Sequence, residues 1–250
     1  MRKRAVRPVI RGVLLDKDGT IVDIDKTWVP VARLVVEEIV SRYGARGLQE
    51  ELLEAIGIRA GVVDPDGSMA RGTNQGIARD FLEVLARHGT AVLEDELAVF
   101  SRACFDDYCA KVTIYPTVED LAGLLERIRS GPRALGLATA DTLVSAENCL
   151  RQLGVREMFD FVGADDGVIT PKPHPDLLHE FCRVCGLEPG EVVMVGDTTA
   201  DVELGRRGGA GMVIGIAPEG TRVARMADIR LDSVTEIVDA TGTPVWESRE

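Results

Sequence analysis

The sequence contains few aromatic residues, few positive charges and no long apolar run. Aromatic side chains make up 4% of the 250 residues, although 45% are hydrophobic, so a core would consist mainly of Val, Leu, Ile and Ala. The 29 Lys and Arg residues face 41 Asp and Glu residues, a net charge of −12. This argues against a nucleic-acid partner, since phosphate backbones bind cationic surfaces. No apolar stretch approaches the roughly 20 residues that span a bilayer, so we expect no membrane partner.

The cysteines do not indicate a disulfide framework. There are five of them, and an odd number favours a reducing, cytoplasmic location. The basic N-terminal stretch MRKRAVRPVI lacks the apolar segment of a signal peptide. We expect it to be a short solvated arm that leads into the first strand.

Apolar residues recur with two periods along the chain. Short apolar runs predict buried strands at residues 9–15, 134–138, 159–162, 192–195, 211–216 and 229–231. Helical spacing predicts helices at residues 27–43, 48–56, 75–87, 94–110, 118–129, 143–153, 176–185, 200–208 and 234–240. Strands and helices alternate after residue 116, which indicates an α/β fold with a parallel sheet and helices on both faces.

The first predicted strand is separated from the others by about ninety residues in which no strand is predicted. Residues 61–72 of this stretch are rich in turn formers and predict a loop. We therefore predict a doubly wound parallel-sheet core formed by residues 1–22 and 113–250, with a wholly helical inserted domain at residues 23–112.

Two carboxylates follow the first strand directly, in the segment DKDGT. In an extended chain Asp16 and Asp18 point to the same side and Lys17 is turned away. Such a pair suits a divalent metal and a nucleophile with an acid/base partner. Gly19 allows a sharp turn that could direct amide groups at a phosphate. The alternative is an acidic turn without chemistry.

Two further polar groups follow later strands. Thr139 could donate its hydroxyl to a phosphoryl oxygen, or it could be the N-cap of the next helix, a position that Asp141 would fill equally well. Lys172 stands between Pro171 and Pro173, which restrict the backbone and fix the starting direction of its side chain. Its ammonium could offset two carboxylates and bind phosphate, or it could be solvated in an exposed loop.

The fourth segment again places acids after a buried strand. Asp197 stands at the strand tip, and Asp201 follows one helical turn later and can face the same pocket. A helix capped by Asp197 or Thr198 would also explain these residues. Because the carboxyl ends of parallel strands form the ligand site of an open sheet, the four segments together predict one active site.

The four segments, in this order, resemble the motifs of the haloacid dehalogenase-like hydrolase superfamily. The resemblance covers essentially the whole chain and implies a Rossmann-like core. It implies that Asp16 is the nucleophile that forms an aspartyl-phosphate, and that Asp18 is the general acid for the leaving oxygen and then the base for water. Thr139 and Lys172 would hold the phosphoryl group.

The resemblance also implies a cofactor and supporting residues. Mg²⁺ would be bound by Asp16, the carbonyl of Asp18 and Asp197, with Asp201 supporting from nearby and Gly19 and Thr20 completing the first motif. Phosphoryl transfer needs mainly positioning and charge neutralisation, which this set would provide.

The same resemblance narrows the activity. The dehalogenases of the family lack an acid at the position of Asp18, which favours a phosphatase acting on a small phosphorylated substrate. The inserted helices are similar to the α-helical cap of phosphoglycolate phosphatases and of sugar phosphatases or mutases. Phosphoglycolate phosphatase is the leading expectation, although Ala140 stands where many relatives have Asn. Arg71 in the insertion could contact a substrate carboxylate or phosphate. A phosphosugar mutase and a non-enzymatic phosphate-binding module are the alternatives.

Overall fold

The computed structural model describes residues 9–71, 73–130 and 133–247. The predicted N-terminal arm lies almost wholly outside these residues. The strands are β1 (Gly12–Leu15), β2 (Ile58–Arg59), β3 (Val62–Val63), β4 (Ala134–Ala138), β5 (Phe161–Gly163), β6 (Val192–Gly196), β7 (Met212–Ile216) and β8 (Ile229–Leu231). The α-helices are α1 (Ile24–Tyr43), α2 (Gln49–Ala55), α3 (Ser68–Arg71), α4 (Asn74–Arg87), α5 (Glu94–Cys109), α6 (Leu121–Arg129), α7 (Leu143–Gln152), α8 (Asp176–Cys185), α9 (Thr199–Gly208) and α10 (Arg222–Met226).

Six of these strands form one sheet in the order β5-β4-β1-β6-β7-β8, and all its neighbouring pairs are parallel. The order reverses at β1, which pairs with β4 on one side and β6 on the other. Leu15 lies opposite both Leu137 and Val195, so the three central strands end side by side. This reversal point is where an open parallel sheet binds its ligands.

The sheet has an apolar core on each face. Val13 of β1 belongs to a large cluster that includes residues of α6 and α7, whereas Leu14 belongs to a second cluster that includes residues of α8 and α9. Adjacent strand residues point to opposite faces, and every residue of β1 is buried. The predicted doubly wound α/β fold is confirmed.

The insertion between β1 and β4 is not wholly helical. Helices α1, α2, α4 and α5 pack against one another, but β2 and β3 form an antiparallel hairpin among them. Ala60 and Gly61 between these strands have φ of 50° and 80°, the positive values that a two-residue hairpin turn requires. The core and insertion boundaries at residues 22/23 and 112/113 remain predictions.

Three local predictions are wrong in detail. The stretch 61–72, predicted to be loop, contains β3 and α3. The predicted helix at 234–240 is a 3-10 helix that ends at Ile237, and Val238 then pairs with Pro244. Helix α10 was not predicted. No helix among the described residues is long and apolar enough to cross a membrane.

Candidate active site

The predicted polar groups meet in one cavity at the carboxyl edge of the sheet. Asp16, Asp18, Thr139 and Lys172 line it, and Arg71 lines it from the insertion. About 600 Å³ between the lining side chains is not filled by protein atoms, a space that includes open solvent. The active-site location predicted from the strand ends is where these side chains come together.

Asp16 is held by the backbone on one side and by a lysine on the other. Its side chain is almost fully buried, and its N–H donates to the carbonyl of Val195 over 2.8 Å. The ammonium of Lys172 donates to Asp16 Oδ1. Burial raises the pKa of Asp16 to about 7, the charge of Asp201 adds to this, and Lys172 opposes it.

Lys172 is buried, so the alternative of an exposed, solvated lysine is wrong. Its Nζ donates to Asp201 Oδ1 over 2.6 Å as well as to Asp16. Burial alone would lower the pKa of Lys172, but the charges of Asp16 and Asp201 outweigh it and raise the pKa above its ordinary value. The lysine is therefore a permanent ammonium between two carboxylates.

Asp201 has two tasks because each of its oxygens has a different partner. While Oδ1 accepts from Lys172, Oδ2 accepts from the N–H and the hydroxyl of Thr198 over 2.9 Å and 2.6 Å. This is the capping box of α9, with Thr198 at the N-cap. The predicted cap at Thr198 is confirmed, and the same Asp201 carboxylate also binds the ammonium of Lys172.

Three carboxylates form a group that can bind a cation. One oxygen each from Asp16, Asp197 and Asp201 lie within 4.8 Å of one another. Burial and the charge of Asp16 raise the pKa of Asp197 well above its ordinary value, and Asp197 Oδ1 is buried without a hydrogen-bond partner among the described residues. An unpaired buried oxygen beside two carboxylates fits a hard divalent cation such as Mg²⁺. The Asp18 carboxylate does not belong to this group.

Gly19 is required by the closeness of the first and fourth segments. Its φ is +80°, and a Cβ on it would lie 2.0 Å from Asp197 Oδ2. Its N–H donates to the carbonyl of Val22 over 2.8 Å, so the amide of Gly19 itself is not one that the turn directs at a phosphate, and the expectation for the other amides of the turn stays a prediction. Thr20 is buried, and its hydroxyl oxygen has no partner among the described residues.

Thr139 is not a helix cap. Thr142 caps α7 instead, and its Oγ1 accepts from the N–H of Ser145 over 3.1 Å. Thr139 Oγ1 accepts from the N–H of Asp141 over 3.1 Å, so its hydroxyl hydrogen can still be donated into the cavity. Neither Thr139 nor Asp141 is the N-cap of α7, contrary to the alternative considered from the sequence.

Lys17 has a part in the site that the sequence reasoning missed. Among the described residues, those that line the cavity include Asp16 and Asp18 but not Lys17, so the predicted alternation is correct. The ammonium nevertheless reaches the carboxylates of Asp18 and Asp141 from the buried side, at 2.9 Å each. Burial raises the pKa of Asp18, and Lys17 opposes the rise.

The insertion supplies one wall of the cavity. Arg71 Nη1 lies 3.2 Å from Asp66 Oδ1 and 3.5 Å from Thr199 Oγ1, and its Nε is buried without a partner among the described residues. The sequence singled out Arg71 but missed the rest of this wall, since apolar residues at helical spacing also predict an ordinary core. The other residues of the insertion in the lining are Trp28, Met69, Ala70, Asn74, Ile77 and Phe105.

Comparison with known proteins agrees with this geometry. The model of the haloacid dehalogenase-like hydrolases matches residues 10–209. The N-acetylmuramic acid 6-phosphate phosphatase of Pseudomonas putida is 28% identical over 208 residues, 80% of this chain and 80% of that protein. A plasmid-encoded phosphoglycolate phosphatase of Cupriavidus necator is 27% identical over 238 residues, 93% of each chain.

Solved structures share the fold. CbbY from Rhodobacter sphaeroides in complex with phosphate has a TM-score of 0.66 and 23% identity, and the match covers 94% of this chain and 99% of that one. The family model spans most of the chain, and both relatives are phosphatases. The resemblance drawn from the motifs is confirmed: the chain belongs to the haloacid dehalogenase-like hydrolase family and is a phosphoric monoester hydrolase.

Proposed function

We propose that the chain is a Mg²⁺-dependent phosphatase of a small phosphorylated metabolite that works through an aspartyl-phosphate on Asp16. The observation that carries the proposal is the position of the Asp16 carboxylate. It lines the cavity and contacts the ammonium of Lys172, and one of its oxygens lies within 4.8 Å of an oxygen of Asp197 and of Asp201. A nucleophile surrounded by one fixed cation and one cation site suits a dianionic phosphate.

Each of the site residues has a separate role in the proposed reaction. Asp16 attacks phosphorus and the bond to the ester oxygen breaks, while protonated Asp18 gives its proton to that oxygen so that an alcohol leaves. Ionised Asp18 then takes a proton from the water that attacks phosphorus, which breaks the bond to Asp16 and releases phosphate. Thr139 and Lys172 hold the phosphoryl oxygens, and Mg²⁺ bound by the acidic group would neutralise their charge.

The substrate that we propose carries a carboxylate besides its phosphate, as 2-phosphoglycolate does. N-acetylmuramic acid 6-phosphate and phosphoglycolate, the compounds in the names of the two relatives, both have this feature. Arg71 supports the proposal from within the chain because it lines the cavity and has an unpaired buried Nε. A guanidinium recognises a carboxylate through paired hydrogen bonds.

A phosphate-release screen with and without Mg²⁺ tests the substrate class. We expect 2-phosphoglycolate to be hydrolysed with a higher kcat/KM than ethyl phosphate, which has the same phosphorylated CH2 group but a methyl in place of the carboxylate. Equal values would contradict the carboxylate preference. Faster isomerisation of a sugar phosphate than phosphate release would indicate the mutase alternative, and no turnover would favour a phosphate-binding module.

The cytoplasmic location stays a prediction.

The nucleophile is tested by Asp16→Asn. We expect Mg²⁺-dependent phosphate release to fall by about 10⁴-fold or more, because the amide is a far weaker nucleophile. Asp107→Asn is the matched control, since Asp107 is exposed and pairs with Lys111, four residues further along the chain. Substantial activity in a folded Asp16→Asn protein would disprove the assignment.

A further inference from the structure

The reaction proposed above gives no task to Lys17, although its side chain is fully buried, with 0% exposed. Burying an ammonium is unfavourable unless carboxylates surround it. Here Nζ lies 2.9 Å from Asp18 Oδ2 and 2.9 Å from Asp141 Oδ2. Burial alone would lower the pKa of Lys17, but Asp141 and Asp18 outweigh it and raise the pKa well above its usual value. The site therefore contains a second permanent ammonium.

The surroundings leave Lys17 and Asp18 little freedom to move. The ammonium lies 4.6 Å from the centre of the Trp28 ring, and the indole N–H of Trp28 donates to Asp18 Oδ1. The same oxygen is 3.0 Å from Lys17 Nζ. Asp141 is anchored in turn, because its N–H donates to Thr139 Oγ1 over 3.1 Å. A continuous chain of contacts thus joins Asp18 to the phosphate-binding threonine.

This chain of contacts selects one orientation of the Asp18 carboxylate. The Asp18 side chain is 18% exposed at the cavity, and another rotamer would lose its bonds to both Lys17 and Trp28. Without the ammonium, Asp18 would face the like charge of Asp141 with no cation between them. General acid catalysis depends on the acid lying within hydrogen-bond reach of the leaving oxygen, so this orientation matters for the rate.

We propose that Lys17 is a positioning residue whose ammonium, held between Asp141 and Asp18, orients the Asp18 side chain so that the protonated acid can give its proton to the leaving oxygen. The proposal rests on the proposed phosphatase function. It goes beyond it because, among the described residues, the ammonium of Lys17 pairs with Asp18 and Asp141 and its side chain does not line the cavity, so that it acts through Asp18.

Two substrates with different leaving groups distinguish positioning from general damage. p-Nitrophenolate leaves with little protonation, whereas an alkoxide needs a proton. For Lys17→Met we expect kcat/KM to fall about 10²-fold with 2-phosphoglycolate and less than about tenfold with p-nitrophenyl phosphate. The ratio kcat/KM is chosen because it covers the steps up to departure of the leaving group. Equal losses on both substrates, or no loss, would overturn the proposal.

Lys17→Met leaves two partly buried carboxylates without a cation between them, so we expect a lower Tm. The double variant Lys17→Met/Asp141→Asn removes one charge of each sign. We expect the double variant to recover much of the lost Tm but not the lost activity on 2-phosphoglycolate. Recovery of that activity together with Tm would show that Lys17 is only structural. Lys111→Met is the matched control, because Lys111 is an exposed lysine that also contacts a carboxylate.

A double-mutant cycle tests whether Lys17 acts through Asp18. In an Asp18→Asn background, Lys17→Met should cause no further loss of kcat/KM on 2-phosphoglycolate, since the acid that it positions is gone. A full additional loss would assign Lys17 another role. The wild-type protein separates the two proposals: if it releases no phosphate from either substrate, the phosphatase function fails, whereas an active wild type with equal Lys17→Met losses overturns only the role of Lys17.

Discussion

Two buried lysines, Lys17 and Lys172, each bridge a pair of carboxylates, but they face different surroundings. Lys172 joins Asp16 to Asp201 and lines the cavity. A phosphate that enters the cavity can therefore reach its ammonium directly. In the proposed reaction this lysine therefore acts beside the nucleophile Asp16.

Lys17 joins Asp18 to Asp141 behind the cavity wall, against the ring of Trp28. A substrate cannot reach it, because its side chain is fully buried. Two carboxylates keep each lysine charged, so charge state does not distinguish them. The comparison teaches that access to the cavity decides which of two similar clusters can bind substrate and which can only orient a neighbour.

Among the variants that test this comparison, we expect Lys172→Met to have the largest effect. It removes the ammonium that contacts Asp16 and that, in the proposed reaction, also holds the phosphoryl group, and we expect kcat/KM to fall about 10³-fold. The loss should be similar for 2-phosphoglycolate and p-nitrophenyl phosphate, since both transfer the same phosphoryl group. A loss that depends on the leaving group, as expected for Lys17→Met, would show that the two lysines are not different in kind.

Gly19→Ala tests how closely the Asp16 cluster is packed. Residue 19 has φ of +80° and its Cβ would lie 2.0 Å from Asp197 Oδ2, so the carboxylate must move. We expect a loss of more than about 2 kcal/mol in the free energy of unfolding and a weaker stabilisation by Mg²⁺. The measurement is urea denaturation with and without Mg²⁺.

The control for Gly19→Ala is Gly44→Ala. Gly44 has φ of +67° but nothing within 4 Å of its Cβ position. It should lose about 1 kcal/mol from backbone strain alone and keep its full response to Mg²⁺. Equal losses at both positions would mean that contact between the Asp197 carboxylate and residue 19 is unimportant.

Arg71→Ala tests the second cationic side chain among the described residues that line the cavity, which comes from the insertion. We expect KM for 2-phosphoglycolate to rise about tenfold with little change in kcat, because one charged hydrogen bond to the substrate is lost. Ethyl phosphate should be unaffected. Arg79→Ala is the matched control, since Arg79 is exposed and pairs with Glu94. An equal effect on both substrates would contradict recognition of a carboxylate by Arg71.

The smallest expected effect concerns pH and the Asp16 cluster alone. The folded pKa of Asp16 is about 7 against an ordinary 3.8, so the contribution of this group to stability is full below its unfolded pKa and is lost as the pH rises through about 7. A cation that binds the ionised carboxylates competes with these protons. The increase in Tm on adding Mg²⁺ should therefore be larger at about pH 8 than at about pH 5.5.

Lys17→Met should retain this pH-dependent response to Mg²⁺, because the ion pairs of the Lys17 ammonium among the described residues are with Asp18 and Asp141, not with the three carboxylates of the cation site. Scanning calorimetry of the wild type and the variant at both pH values measures it. If the Mg²⁺-induced increase in Tm of the wild type did not depend on pH, Asp16 would not be part of the cation site. If Lys17→Met lost this response, the cluster around Lys17 and the cluster around Asp16 would not be independent of each other.

The strand ends could be predicted from the sequence because their geometry is local. A buried parallel strand followed by an acid or a hydroxyl places that group at the carboxyl edge wherever the strand lies in the sheet. Asp16, Thr139 and Asp197 were found in this way, and the wider set of motifs identified the family. The hairpin of β2 and β3 was missed, since its turn has Ala60 at positive φ, a conformation that alanine does not signal.

The second lysine cluster shows what sequence reasoning could not supply. Lys17 is adjacent to Asp18 in the chain, but its other carboxylate, Asp141, is more than a hundred residues away, and Trp28 belongs to a helix of the insertion. No local sequence pattern predicts that these three side chains lie together in the folded protein. The role of Gly19 likewise became specific only when Asp197 was seen at the position that a Cβ would occupy.

The sequence by itself determined the α/β fold, the edge of the sheet that carries the site, and the residue types that could perform phosphoryl transfer, because strand periodicity and strand-end chemistry are properties of short segments. Only the tertiary structure decided which carboxylate each lysine neutralises, that Asp201 both caps a helix and holds Lys172, and that Arg71 reaches the cavity. Those pairings depend on distances of a few ångströms between segments far apart in the chain, and burial makes each of them energetically decisive.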